Sequence, residues 1–427
     1  GGRPAGRAGV LRGVADRLEA RIDDLSPLIV VDNGKTLGEA RGDVVAAVAA
    51  FRAAAAHALD PVERTLPERD GVRRIVRREP VGVVAGITPF NAPLAFTALK
   101  AAPALAAGNS VVLKPSERAP LLPRVVCDAA TDAGVPPGTL AVIHGGADVA
   151  ARLCSDPRVD MISLTGGVEA GRAAMRAAAD TFKRLVLELG GKSAHIVLAD
   201  ADLDQAVPAV AGGIFKNAGQ RCLSGSRLVV EDAVADEVEA RIVALAESLR
   251  VGDPFAPATQ VGALIDERAV LATEAFVDRA RRDGLRVGAG GRRVTELAPG
   301  AFYRPTVLLG ATSASVAAQE EIFGPVLTVI RVADADAAVA VANDSQYGLT
   351  GGVWTRDEAR GLDIARRVRT GYFWVNSFAA IFGDLPFGGV KLSGLGREAG
   401  QAGFEAYTEL KSIAIDTTGG RSALRFA

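Results

Sequence analysis

Sulfur and large aromatic side chains are scarce in this chain of 427 residues: three Cys, two Met and two Trp, with aromatics at 5%. Three cysteines, Cys127, Cys154 and Cys222, cannot close a disulfide framework, and at this length they point to free thiols in a reducing, cytoplasmic compartment. No sign of charge dominates, since 49 basic and 50 acidic residues leave a net charge of −1. That balance excludes the field that would recruit nucleic acid or an anionic membrane. Apolar stretches are broken by Gly, Pro or charge before the roughly 18 residues of a membrane span, and no basic-then-apolar leader opens the chain. Lysine is rare beside arginine, occurring only at 35, 100, 114, 183, 192, 216, 391 and 411. In such a composition a retained Lys marks a place for a compact ammonium rather than a planar fork, chance survival being the alternative.

The length suits two or three domains of about 150 residues. Val10, Leu11, Val14, Leu18 and Ile22 keep helical spacing; Ser26 before Pro27 signals a second helix start, and Asn33-Gly34 a stop. Thr36 with Glu39 forms a capping box before an Ala-rich helix to about His57. Short apolar runs follow at Val81–Ile87, Ser110–Leu113, Leu140–Ile143, Met161–Leu164 and Leu185–Leu187, separated by helical stretches. Strands buried on both faces and alternating with helices predict a parallel α/β sheet with its ligand at the carboxyl ends. A second α/β series begins at Ser193 and continues through Arg227–Val230 and Leu327–Val332. The tail Ala406–Ile415 alternates weakly and is expected to pair as an edge strand with Gly71–Pro80, within the chain or across a subunit boundary.

Several strand ends carry reactive side chains. Cys222 lies in a Gly-rich, polar loop beside Arg221, where amide dipoles and the guanidinium favour a thiolate, whereas Cys127 and Cys154 sit in apolar helical patterns. Glu188 follows an apolar run and precedes Gly190-Gly191; it reads as a partly buried general base or as a strand-end ion pair. Asn91 in Thr88-Pro89-Phe90-Asn91 suits an oxyanion donor or a helix cap. Lys114-Pro115-Ser116-Glu117 suits a ribose, with Glu117 repelling a 2′-phosphate, or is a solvated pair. Thr165-Gly166-Gly167 opens a helix as pyrophosphate-binding turns do, but lacks the full glycine fingerprint. Glu321-Ile322-Phe323-Gly324 and Pro386 to Gly389 also stand out as loops.

Together and in this order these segments resemble the aldehyde dehydrogenase superfamily over nearly the whole chain. The resemblance implies a Rossmann-like parallel-sheet cofactor domain (1–58 and 81–190), a second α/β catalytic domain (191–400) and a small β oligomerisation arm (59–80 and 401–427). It also implies Cys222 as nucleophile, Glu188 as general base and Asn91 as oxyanion donor. The cofactor, NAD with NADP possible, is then held by Thr88, Pro89, Phe90, Lys114, Ser116, Glu117, Gly166, Gly167, Leu189, Gly190, Glu321 and Phe323, with no metal. The implied activity is oxidation of an aldehyde to a carboxylic acid through a thiohemiacetal and thioester on Cys222, in a homodimer or homotetramer. Gly167 stands where many relatives have Ser, Phe90 where Trp is commoner, and several dozen upstream residues of the family are expected to be missing.

Three other readings compete. A CoA-acylating semialdehyde dehydrogenase is disfavoured by Glu188, because CoA-using relatives generally lack that base. A cofactor-binding scaffold without turnover has no reason to keep Cys222, Glu188 and Asn91 together. A Cys–His hydrolase needs an imidazole from His57, His144 or His195, none in a motif-like setting. Arg221 beside the nucleophile hints at acidic aldehydes, although a side chain adjacent to a nucleophile commonly points elsewhere.

Overall fold

The computed structural model describes residues 3–420. The strands Leu140–Val142, Ser110–Pro115, Val83–Thr88, Met161–Thr165 and Arg184–Glu188 lie side by side in that order, all parallel. Successive residues alternate between two cores, as strands covered on both faces must. Val84 and Met161 face the helices of the amino-terminal half, while Ala85 and Ile162 face the helices that carry Cys154 and Ala174. The first face is closed by helices Pro4–Glu19, Leu37–His57 and Pro93–Ala107, whose many alanines permit close approach around Leu11, Phe51 and Leu94.

A second sheet runs Arg286–Ala289, Thr306–Ala311, Val326–Val332, Arg227–Glu231, Ala194–Val197, Thr350–Trp354, Tyr372–Val375, parallel except for the first pair. The α/β architecture expected from the alternating pattern is therefore present twice. The third sheet is antiparallel, with Val72–Pro80 between Glu63–Arg69 and Thr408–Asp416. The tail pairs with its partner strand inside the same chain, Ile413 opposite Ile75.

One local expectation is corrected. The second helix begins at Ile22, not at Ser26, and carries Pro27 inside its first two turns; the Ser26 hydroxyl donates back to the Ile22 carbonyl at 2.6 Å. Its stop is as expected, with Gly34 left-handed at φ 80°. Gly394–Leu395, inside the segment 191–400, pairs antiparallel with Arg184–Glu188, and Phe404 and Tyr407 join the core of the first sheet. The chain thus returns to its first body before entering the third sheet. Residues 1–2 and 421–427 of the expected domains lie outside the described residues.

Candidate active site

The order of the first sheet reverses between Val83–Thr88 and Met161–Thr165, because one strand leads outward to Ser110–Pro115 and the other to Arg184–Glu188. Side chains at the carboxyl ends of such a pair face a crevice. Glu188 ends its strand there, and the two glycines that follow let other loops close on it. A Cβ at Gly190 would collide with the Glu321 carboxylate, and one at Gly191 would lie 2.6 Å from the Cys222 carbonyl. The Gly191 N–H donates to Glu321 Oε1 at 2.9 Å.

The Cys222 loop is shaped by its backbone. Asn217 and Ala218 take left-handed φ of 52° and 50°, and a Cβ on Gly219 would run into the Gly324 carbonyl. The Asn217 amide then donates to the Asn91 carbonyl at 3.1 Å and the Gln220 carbonyl at 3.2 Å. Asn33 donates to the carbonyls of Phe90 and Asn91, each at 3.2 Å. The capping box at Thr36 joins in: Glu39 Oε2 accepts from the Thr36 N–H and hydroxyl, and its Oε1 accepts the Asn217 N–H at 2.6 Å. Asn33, Glu39 and Asn217 thus lock the loop of Asn91 to the loop of Cys222. Of the three, sequence reading marked Glu39 only as half of a cap and Asn33 only as part of a helix stop.

The result is one cavity of about 350 Å³ lined by Cys222, Glu188, Asn91, Pro89, Phe90, Ser116, Gly166, Gly167, Gly190, Glu321 and Phe323. Arg118 and Thr165 line it too. Arg118 lies 4.5 Å over the Phe90 ring and pairs with Asp266 at 2.7 Å; Phe90 meets Phe323 edge to face at 5.7 Å. Among the described residues the Asn91 side chain makes no hydrogen bond and is not sealed, so its amide opens into the cavity. It does not cap the following helix, whose N-cap is Ala92.

Electrostatics in the cavity follow from burial. Desolvation and the neighbouring Glu398 push the Glu188 carboxyl up to about 8, with the Cys222 thiol and Lys100 opposing. Lys100 and Glu398 form a fully buried pair at 2.6 Å. The thiol of Cys222 faces Glu188, yet neither Glu188 oxygen receives a hydrogen bond of good geometry. Burial, Glu188 and Glu321 drive the thiol well above its ordinary range, and Arg221 pulls it back. The low thiol expected from amide dipoles and Arg221 is corrected accordingly: desolvation outweighs them. Glu321 is also raised by burial, against the Gly191 N–H and Lys192.

The remaining expected residues lie apart. Glu117 lines a second, more open groove with Pro115, Arg124 and His144, and its carboxylate sits 3.5 Å from the buried Lys114 ammonium. Thr88 is buried with an unpartnered hydroxyl, and the Leu189 side chain turns into the core against Gly171. Burial raises the thiols of Cys127, to about 11, and Cys154. His57 pairs with Asp60, His144 lines the second groove, and the ring of His195 packs on Phe378 with both nitrogens unpartnered. Hence none of the three hydrogen bonds to Cys222.

The family model that matches residues 3–413 is the aldehyde dehydrogenase family. Betaine aldehyde dehydrogenase of Bacillus subtilis is 40% identical over 416 residues, 96% of this chain and 85% of the relative. Betaine aldehyde dehydrogenase of Staphylococcus aureus, solved with NAD+, superposes with a TM-score of 0.96 at 34% identity, covering 98% of this chain and 83% of that one. PnpE from Pseudomonas sp. WBC-3, solved with nicotinamide adenine dinucleotide, gives 0.95 at 38% identity, covering 97% and 86%.

Proposed function

The chain belongs to the aldehyde dehydrogenase family and is an NAD(P)-dependent oxidoreductase acting on an aldehyde, and from that premise we propose that Cys222, Glu188 and Asn91 carry the chemistry. The observation that supports this most is their convergence on one cavity from three distant segments.

The cofactor fits this reading. Thr165 presents a buried hydroxyl without a partner, a Cβ on Gly167 would meet only open space, and Glu321 and Phe323 line the same cavity as Cys222. Pro89, Phe90, Ser116, Gly166, Gly167, Gly190, Glu321 and Phe323 hold the nicotinamide end in this reading, and Lys114 with Glu117 the adenosine ribose in the outer groove. When bound, a nicotinamide dinucleotide accepts the hydride released from the substrate carbon. Glu117, exposed in that groove, opposes a 2′-phosphate and favours NAD over NADP.

Cys222 Sγ adds to the aldehyde carbon as its proton passes to Glu188, which lies beside it and has a raised proton affinity. The oxygen acquires charge where the Asn91 amide donates. Loss of hydride leaves an acyl thioester on Cys222. Glu188, once deprotonated, takes a proton from water, whose oxygen attacks the thioester carbon; the carboxylic acid leaves and the thiol is restored. Arrangement as a homodimer or homotetramer, a cytoplasmic location, and the division into a cofactor domain (1–58, 81–190), a catalytic domain (from 191) and an arm (59–80 and the tail) belong to the same proposal. Residues 394–407 are assigned to the first of these bodies.

The test is NADH formation with a panel of aldehydes, and product analysis with and without CoA. Turnover that vanishes in Cys222→Ala, with free acid as product in both conditions, is the expected result. An acyl-CoA product, or no NADH from any aldehyde, refutes the reading.

A further inference from the structure

We infer that Lys192 is a positioning residue for the cofactor: its buried ammonium keeps the Glu321 carboxylate charged, and so able to accept the hydroxyls of the ribose next to the nicotinamide. The inference rests on the reading above, which sets Glu321 at the nicotinamide end of the dinucleotide.

Lys192 follows Gly191 directly, and its side chain is sealed in the protein at 1% exposure. The ammonium lies 5.9 Å over the Phe276 ring, and among the described residues Nζ has no hydrogen-bond partner. Its backbone is pinned, because Arg227 Nε donates to the Lys192 carbonyl at 2.8 Å while the other guanidinium nitrogens hold the carbonyls of Val341 and Ala342. A buried cation with no partner in reach costs free energy, so its place calls for a reason.

Two carboxylates act on Lys192, those of Glu321 and Glu320. Glu320 is committed elsewhere: it pairs with Arg279, whose guanidinium lies 5.0 Å over the same Phe276 ring. Glu321 is the carboxylate left for the ammonium. Its Oε1 accepts the Gly191 N–H at 2.9 Å; among the described residues Oε2 has no partner, is not sealed, and belongs to the cavity. An ionised carboxylate offers that oxygen purely as an acceptor, and a vicinal diol supplies donors to it.

Burial opposes the ionisation of Glu321, and a dinucleotide covering the cavity opposes it further. The Gly191 N–H and Lys192 favour it, and of these Lys192 carries the positive charge. Arg227, on the other side of Lys192, works against the ammonium. Glu188, the Cys222 thiol and Tyr347 are each pushed toward the protonated form by burial and further by Glu321. Lys192 itself, brought down to about 7 by burial, is charged on the acid side of neutrality, where Glu321 needs it. On the alkaline side Glu321 ionises without help. Removing the ammonium therefore weakens the ribose contact at low pH and spares it at high pH.

The experiment titrates NADH, followed by its own fluorescence, into the full chain at pH 6 and pH 9, with ADP, which carries only the adenosine end, as control. The wild-type Kd for NADH is expected to agree within about twofold between the two. Lys192→Met should raise it about tenfold at pH 6 and less than about twofold at pH 9, with ADP binding unchanged. Glu321→Gln should weaken NADH equally at both, and adding Lys192→Met to it should lose nothing more. Four results overturn the assignment: a wild-type Kd about tenfold higher at pH 6 than at pH 9, a Lys192→Met loss equal at both, a further loss in the double variant, or impaired ADP binding. The first needs no variant, so the inference can fail even where Lys192→Met does not fold. Wild-type affinity for NADH in Glu321→Gln would remove Glu321 from the ribose, and the fault would then lie in the cofactor reading itself.

Discussion

The lysines show how far a single residue can be read before any fold is known. Their scarcity beside arginine suggested positions that need a compact ammonium, and Lys35, Lys100, Lys114, Lys183 and Lys192 are all buried. Lys183 donates to the carbonyls of Asp156 at 2.7 Å and Val159 at 2.6 Å, a close double contact that a planar guanidinium cannot occupy without displacing its neighbours. Lys183→Arg keeps the charge yet is expected to cost about 1–3 kcal/mol in urea unfolding; an unchanged midpoint would mean the site is roomier than it looks. Glu188 was legible as a strand-end carboxylate whose burial raises its proton affinity, but the further push from Glu398, which comes from a remote segment, was not. Its titration makes two predictions. Proton transfer to Glu188 needs the ionised base, so kcat should rise with pH up to a plateau beyond about 8, and Glu188→Gln, which can take neither the thiol proton nor the water proton, should lose about 100-fold or more in kcat with its first turnover of NADH slowed as well. A carboxyl whose folded value is raised contributes stability fully present at pH below its unfolded value, and that stability is lost as pH climbs through the folded one. The thermal midpoint of Glu188→Gln should therefore gain on the wild type as pH increases toward 8; parallel curves would show that Glu188 is not desolvated.

At the level of elements, continuous apolar runs were sufficient for the strands of the first sheet, because a strand buried on both faces has no polar side to confuse with a helix. Arg286–Ala289, Thr306–Ala311, Thr350–Trp354 and Tyr372–Val375 escaped that reading. The case of Thr350–Trp354 is physical: Gly351 and Gly352 read locally as a turn, whereas they are small because Phe373 and Phe378 lie over them. The capping box had the opposite fate. It was legible from Thr36 and Glu39 alone, but its second task, receiving the Asn217 N–H, depends on a contact between positions 178 residues apart. Glu39→Ala should accordingly do two things: cost about 1 kcal/mol of stability from the cap, and lower kcat by loosening the turn that presents Cys222. If stability falls while kcat and KM stay at wild-type values, Glu39 is only a cap and the turn is held by Asn217 itself.

At the scale of the molecule, the third sheet is the part whose apolar face stays outside the described hydrophobic cores. Ile75, Ile413 and Ile415 occupy one face of it, by the alternation of side chains along Val72–Pro80 and Thr408–Asp416 and by the register that sets Ile413 opposite Ile75. None of the three belongs to any of the hydrophobic cores, and both outer strands leave an unpaired edge among the described residues. A small sheet with an apolar face and open edges gains free energy by covering them, and a second copy of the chain is the proposed cover. Every residue that lines the cavity comes from outside this sheet, so assembly and chemistry should be separable. The wild type should sediment at two or four times 44.0 kDa. Ile413→Asp, which places a charge on the apolar face, should shift it toward the single-chain mass while NADH formation persists at a reduced rate. A wild type that sediments as one chain would leave this face without its proposed partner, and a dissociated variant with no residual turnover would show that the cavity needs support from its neighbour.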